Sequence, residues 1–87
     1  MKREMRDSII AVLRWMYNRG KIGGCHTPEG NITRRWRFLS PKEMKETLIE
    51  WEMCITKLQW VLRQKKTRER HVSLNPRTLQ EVLKGIQ

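Results

Sequence analysis

Two clusters of Lys and Arg are the residues of this sequence best suited to chemistry, and that chemistry is the binding of a phosphate polymer. The first cluster surrounds the segment KKTRER and consists of Arg63, Lys65, Lys66, Arg68 and Arg70. The second cluster consists of Arg34, Arg35 and Arg37. Arg binds phosphate oxygens through two parallel hydrogen bonds, and Lys supplies a flexible point charge. Such clusters are expected to hold a phosphate backbone more than to distinguish base sequences.

Further cations and two aromatic side chains complete the predicted nucleic-acid-binding set. The cations are Lys2, Arg3, Lys42 and Lys45. Trp15 lies off the main apolar face of the predicted first helix, and Trp36 stands among arginines, so either ring could stack on an unpaired base or a sugar. The alternative, which the sequence favours, is that both rings cover the edge of the core.

The overall charge supports an anionic partner. Lys and Arg number 19 against 9 Asp and Glu, which gives a formal net charge of +10. A surface that repels itself this strongly is most easily understood if nucleic acid neutralises it, with an anionic membrane surface as the second choice. A third alternative, charge for solubility alone, fits less well because the charge is clustered. No apolar run approaches the roughly 18 residues of a spanning helix, and no secretory signal is apparent, so we expect a cytoplasmic protein with no membrane partner.

We expect no catalytic residue, no cofactor and no metal site. The sequence has no nucleophile elbow, no phosphate-binding glycine loop and no recognisable set of acidic metal ligands, so we do not expect an enzyme. Cys25, Cys54, His26 and His71 match the count of a Cys2His2 zinc site but not its spacing. With no sign of export, the cysteines are expected to remain thiols.

Hydrophobic periodicity predicts the helices that position these clusters within a single domain, residues 1–87. A first helix is predicted from Arg3 to Asn18, followed by a loop or a very short edge strand over 21–26. A short second helix, capped by Thr27 with Pro28 at its first position, is predicted to reach about Trp36. A third helix is predicted from Pro41 to about Leu58. It opens with a Ser40 to Glu43 capping box, and its apolar stripe consists of Met44, Leu48, Trp51, Ile55 and Leu58.

After the third helix the sequence predicts a β-hairpin and a last helix. The segments 60–65 and 71–74 resemble strands and flank a polar tip at 66–70, although no turn signal fixes their register. Asn75 and Pro76 predict the start of a C-terminal helix. The fold class is therefore α+β and mostly helical. Its element order is that of a winged helix, in which three helices form a helix-turn-helix core and the hairpin projects as the wing.

The chain also resembles a group of small stand-alone archaeal winged-helix proteins. Those proteins carry an HTPE-N opening of the second helix and an HVSLNP return from the wing, which stand here at residues 26–31 and 71–76. The resemblance spans Ile9 to Leu83 and implies the winged-helix fold and, by analogy with that fold, nucleic-acid binding. This chain departs from the group in a wing tip without glycine and in a longer third helix that is richer in Trp.

Three functions remain open on this sequence. The favoured one is the binding of double-stranded DNA through the wing and the phosphate backbone, by a transcriptional or chromatin-associated protein. The third helix carries more Glu than Lys and is a poor surface to place between phosphates, which supports a second function, structural RNA binding in a ribosome-associated ribonucleoprotein assembly. The third is a protein–protein adaptor, in which the stripe of the third helix pairs with its twin in a homodimer. Exposure of Trp51 and Ile55 would indicate the adaptor.

Overall fold

Four α-helices and a small antiparallel sheet make up the described part of the chain, and the prediction of a mostly helical α+β fold is confirmed. The structure is a computed structural model that describes residues 5–66 and 68–86, with only the backbone of Lys66. Its elements are α1 (Asp7–Asn18), β1 (Thr27–Pro28), α2 (Glu29–Thr33), α3 (Pro41–Thr56), β2 (Val61–Lys66), β3 (Glu69–Leu74) and α4 (Leu79–Ile86). Single 3-10 turns lie at Arg34–Trp36, after α2, and at Pro76–Thr78, before α4.

Helix α1 begins at Asp7, later than the predicted start at Arg3, which lies outside the described residues. Arg6 has an extended backbone, and its amide donates a hydrogen bond of 2.8 Å to the carboxylate of Glu50 in α3. This hydrogen bond holds the residue before α1 against α3. It also occupies the Arg6 amide, which would donate within the helix if α1 began a turn earlier. The predicted stop is confirmed, because Gly20 has a φ of +67° just beyond the helix.

The start of the second helix differs from the prediction. Thr27 and Pro28 form β1, which pairs with β3, so α2 begins only at Glu29. Thr27 therefore does not cap the helix, since its backbone belongs to the sheet and its side chain is buried. After α2 the chain tightens into the 3-10 turn at Arg34–Trp36, which ends where the prediction placed the end of the helix.

Helix α3 begins as predicted. The hydroxyl of Ser40 accepts a hydrogen bond from the amide of Glu43, and the carboxylate of Glu43 accepts one from the amide of Ser40, each at 3.2 Å. This capping box satisfies two amides that would otherwise lack partners. The helix ends at Thr56, two residues before the predicted end, and Gln59 turns the chain with a φ of +56°.

The buried face of α3 is rotated from the predicted stripe. Thr47, Trp51 and Cys54 are buried, whereas Leu48 is 40% exposed and Ile55 is half-buried. The reason is that Trp51 enters the core beside the ring of Trp36, at a centroid distance of 5.6 Å. The two small side chains lie one turn on either side of Trp51. Of the two residues whose exposure would indicate the adaptor, Trp51 is thus buried within the monomer and Ile55 is half-buried.

The strands form a sheet in the order β1-β3-β2, and every pairing between them is antiparallel. The sequence did not determine the register of the hairpin. In the structure the pairs run from Val61 opposite Leu74 to Lys66 opposite Glu69. The ladder continues through most of the predicted polar tip, and Thr67 lies outside the described residues. Since side chains alternate along a strand, Val61 and Leu74 share one face with every second residue toward the tip.

Helices and sheet enclose one core, and α4 closes it against α1. Arg14 of α1 donates two hydrogen bonds, of 3.0 and 2.6 Å, to the carbonyl oxygen of Ile86 at the end of α4. Across residues 5–66 and 68–86, no helix has both the length and the apolar character needed to cross a membrane.

Candidate nucleic-acid interface

Arg63 is the best-anchored cation of the hairpin. Its Nε donates to Glu29 Oε1 at 2.9 Å, and its Nη2 donates to Glu52 Oε1 at 2.6 Å, so the guanidinium joins β2 to α2 and α3. Glu29 also accepts a 2.7 Å hydrogen bond from the indole nitrogen of Trp51. We call these residues, Glu29, Trp51, Glu52 and Arg63, the ion cluster. It corrects the prediction that Arg63 contacts phosphate, because two carboxylates already occupy this guanidinium.

Glu29 and Arg63 each hold the charge of the other in its ionised form. Burial raises the pKa of Glu29, but hydrogen bonds from Arg63 and Trp51 and the positive charges of Arg63 and Arg70 outweigh that effect. The pKa of Glu29 therefore lies below its ordinary value of 4.5. The pKa of Arg63 is raised by its hydrogen bonds to Glu52 and then to Glu29. The cluster fixes the base of the hairpin against the helices.

Beyond Arg63 the hairpin carries exposed cations. Lys65 and Arg70 are paired directly across the two strands, and by alternation they share the hairpin face of Arg63. Arg70 is 60% exposed, and its Nε lies 3.4 Å from Glu29, which already binds the closer Arg63. Arg68 is exposed as well, while the side chain of Lys66 lies outside the described residues. The structure thus places Lys65, Arg68 and Arg70 on the outer hairpin, as predicted.

The carboxylates of α3 have partners in the fold, which the sequence did not reveal. Arg6 binds both Glu46, at 2.9 Å, and Glu50, while Glu43 belongs to the capping box and Glu52 to the ion cluster. Within the described residues, neither Lys42 nor Lys45 has a carboxylate within 4.0 Å, and both are exposed. Neighbouring arginines therefore balance part of the negative charge of α3, since Arg6 and Arg63 supply two positive charges against its four glutamates.

The outer hairpin and α3 face each other across a cleft of about 440 Å³. Leu48 and Glu52 line it from α3, and Glu69 and Arg70 line it from β3. The ion cluster forms its floor, since Glu29, Trp51 and Arg63 also line it. The cleft lies between the hairpin and the middle of α3, and its lining residues do not include Lys42 or Lys45.

The second arginine cluster forms a pocket of about 400 Å³ on the other side of α2. We call it the aromatic pocket, and it is lined by Trp15, Asn31, Arg34, Arg35, Arg37 and Phe38. The guanidinium of Arg35 lies 4.4 Å from the ring centroid of Trp15, and that of Arg37 lies 4.9 Å from the ring centroid of Phe38. The predicted residues Trp15, Arg34, Arg35 and Arg37 are therefore brought together.

Phe38 is the site residue that sequence reasoning missed. It is 84% exposed, and its ring lies at the rim of the aromatic pocket. The available signal was its place in a short connector between two helices, directly after an arginine cluster. A ring in such a connector has no helix face to define its direction, so periodicity could not place it.

Trp36 does not belong to either surface, and the prediction that it stacks on a base is wrong. It is 2% exposed, and its indole nitrogen donates a 3.1 Å hydrogen bond to the carbonyl oxygen of Ser8. Its ring contacts Trp51 edge to face. Trp36 therefore packs in the core, which was the alternative that the sequence favoured. Trp15, which is half-buried, is the other ring that the sequence predicted could stack on a base. The predicted contacts Lys2 and Arg3 lie outside the described residues.

The two histidines lie at the sheet, and Cys54 lies in the core. The Nδ1 atoms of His26 and His71 lie 2.8 Å apart, so one ring donates a hydrogen bond to the other and links the residue before β1 to β3. Cys25 lies at the surface and Cys54 in the core, and they are not joined to each other. In the part of the chain that the structure describes, no group of three or more His, Cys, Asp or Glu residues is arranged to hold a metal ion.

Comparisons of the chain with protein-family models, with curated proteins and with solved structures find no match. The function of the two basic surfaces must therefore be inferred from their residues and geometry.

Proposed function

We propose that this protein is a winged-helix protein that binds double-stranded DNA through its phosphate backbone, between the outer hairpin and the first turns of α3. The order of helices and strands and the sheet order β1-β3-β2 support this fold. The resemblance to small archaeal winged-helix proteins is part of the same proposal. On this fold the third helix usually enters the major groove, and the hairpin is the wing.

The observation that carries the proposal is the pair formed by Lys65 and Arg70. These two cations are directly opposite each other on the hairpin, and like charges in that position are destabilising. Glu29 offers Arg70 only a weak partner at 3.4 Å because Arg63 binds the same carboxylate more closely. A phosphate placed between Lys65 and Arg70 would convert this repulsion into two attractions.

Helix α3 contributes Lys42 and Lys45 to the same proposal. Both lie in the first two turns, and no carboxylate of the described residues lies within 4.0 Å of either lysine, since the carboxylates of the helix bind Arg6, Arg63 and the cap. Lys makes point-charge contacts to phosphate without fixing a base. The protein should therefore bind duplexes of different sequence with similar affinity.

The test is fluorescence-anisotropy binding of a short blunt duplex at several salt concentrations. In the variant Lys65→Ala/Arg68→Ala two phosphate contacts are lost, so we expect weaker binding and a slope of log affinity against log salt that is smaller by about 2. The control Lys57→Ala/Lys84→Ala removes the same charge from exposed positions outside the hairpin.

Equal losses in the two double variants would mean that only net charge matters and would refute the hairpin as the binding element. A structured RNA of equal length, measured beside the duplex, tests the choice of polymer. Tighter binding to that RNA than to the duplex would replace the proposal with the RNA-binding function.

A further inference from the structure

The aromatic pocket is not used by the duplex-binding surface, and its chemistry differs from that of the hairpin. The pocket combines two aromatic rings, Trp15 and Phe38, with three guanidinium groups. Single exposed apolar side chains are common and need no explanation. An 84% exposed ring at the rim of a cationic pocket is different, because ring and cations together match one type of ligand.

The three arginines of the pocket have no acidic partner among the described residues. Arg34, Arg35 and Arg37 are all exposed, and no carboxylate among residues 5–66 and 68–86 lies within 4.0 Å of their side chains. Three positive charges within four positions repel one another. Arg6 and Arg63, by contrast, each bind two carboxylates. The unpaired group therefore points to an anion from outside the chain.

The rings restrict what that anion can be. A phosphate alone would engage guanidinium groups but would gain nothing from Trp15 or Phe38. In a duplex the faces of the bases are stacked on each other, so a ring can bind a base face only where the base is unpaired. An unpaired nucleotide supplies both a flat base for a ring and a phosphate for the guanidinium groups.

We propose that the aromatic pocket binds an unpaired nucleotide of a single strand, with its base on Phe38 and its phosphate on the arginines. Arg37 covers a face of the Phe38 ring in the structure, at 4.9 Å. An exposed cation–π contact of this kind shifts an equilibrium by only about 2- to 5-fold. Stacking a base on an aromatic side chain shifts it by about 5- to 150-fold, so a base displaces Arg37 from the ring and frees it for phosphate.

The site goes beyond the proposed duplex binding and does not depend on it. The test compares a labelled oligothymidylate with an abasic oligomer of the same length, which has the same phosphates but no bases. We expect the wild-type protein to bind the oligothymidylate about 5- to 150-fold more tightly than the abasic oligomer. Phe38→Ala should lose most of this preference, and it should fold normally because the ring is exposed.

The matched control is Tyr17→Ala, which removes another exposed aromatic ring, one that does not line the pocket. It should keep the preference for thymine. The variant Lys65→Ala/Arg68→Ala should also keep the preference for thymine, although its affinity for duplex falls. If that variant lost affinity for both the duplex and the oligothymidylate, the pocket would not be a separate site and the proposal would be overturned. Failure of the hairpin variant to affect duplex binding would count against the duplex proposal alone.

Equal binding of the two oligomers by the wild-type protein, or an unchanged preference in Phe38→Ala, would overturn the assignment. Two competitors address the source of the ligand. If free thymidine monophosphate competes as well as oligothymidylate at the same nucleotide concentration, the pocket binds free nucleotides. That result would overturn the assignment to a single strand. A polyglutamate peptide that competes as well as the oligothymidylate would show a surface for acidic protein and would also overturn the proposal.

Discussion

Replacing Glu29 by Gln tests whether the ion cluster holds the hairpin on the helices. The substitution keeps the size of the side chain but removes its charge. The carboxylate of Glu29 accepts hydrogen bonds from Arg63 at 2.9 Å and from Trp51 at 2.7 Å. The amide of Gln can accept with its oxygen only, and its NH₂ group would face a guanidinium that also can only donate.

The expected loss follows from these contacts. At least one hydrogen bond between charged groups disappears, and such bonds contribute about 1.5–3 kcal/mol. Removing one partner of a fully buried ion pair costs about 3–5 kcal/mol, but Arg63 keeps Glu52, so the cost stays below that range. We expect Glu29→Gln to lower the free energy of unfolding by about 2–3 kcal/mol, and Tm by on the order of 10–20 °C.

The matched control is Glu52→Gln, which removes the other carboxylate from the same guanidinium. The side chain of Glu52 is 51% exposed, so water screens its ion pair with Arg63. Exposed pairs contribute about 0–1 kcal/mol, and the control should remain close to the wild type. Thermal and urea unfolding, followed by circular dichroism at neutral pH, would measure both variants. Equal stabilities of Glu29→Gln and Glu52→Gln would refute the reasoning, because burial would then not matter.

Two further predictions concern pH and close packing. Because the pKa of Glu29 is lowered in the folded state, its contribution to stability is complete above the unfolded value of about 4.5 and is lost as the pH falls through the folded value. The Tm of the wild type should therefore fall more steeply below pH 4.5 than that of Glu29→Gln, and parallel curves in thermal unfolding at a series of pH values would contradict this. Gly85→Ala should lower the free energy of unfolding, measured with urea, by about 1–2 kcal/mol, because the new Cβ would lie 2.7 Å from the ring of Trp60. The control Gly30→Ala places its Cβ in open space and should raise the free energy of unfolding by about 0.5–1 kcal/mol. A stabilising Gly85→Ala would show that the ring yields.

Features that depend on neighbouring residues could be predicted from the sequence. The capping box of Ser40 and Glu43 and the glycine stop after α1 are determined within a few positions, and both are present. The cap predicted at Thr27 failed because β3, more than forty positions later, pairs with the backbone of Thr27. A local motif cannot indicate a strand partner so far along the chain.

The candidate surfaces were predicted in part for the same reason. The two arginine clusters are contiguous in sequence, and the structure keeps each together. The pairing of Arg63 with Glu29 joins positions 34 apart, and counting charges along the chain could not separate this bound cation from the exposed Lys65. The partners of the α3 glutamates could not be predicted for the same reason, because Arg6, which binds Glu46 and Glu50, lies just before α1.

The contact between α1 and α4 determines when this domain can fold during synthesis. Arg14 binds the carbonyl of Ile86, 72 positions later. Thr27 in β1 cannot pair with Val72 in β3 until that later strand has been synthesised. The core therefore cannot close fully until α4 has left the ribosome, and before that point the apolar face of α1 lacks the part of its cover that α4 provides. Chains arrested before α4 should bind chaperones and be cut readily by proteases, whereas α3, with its local cap, can begin to form earlier.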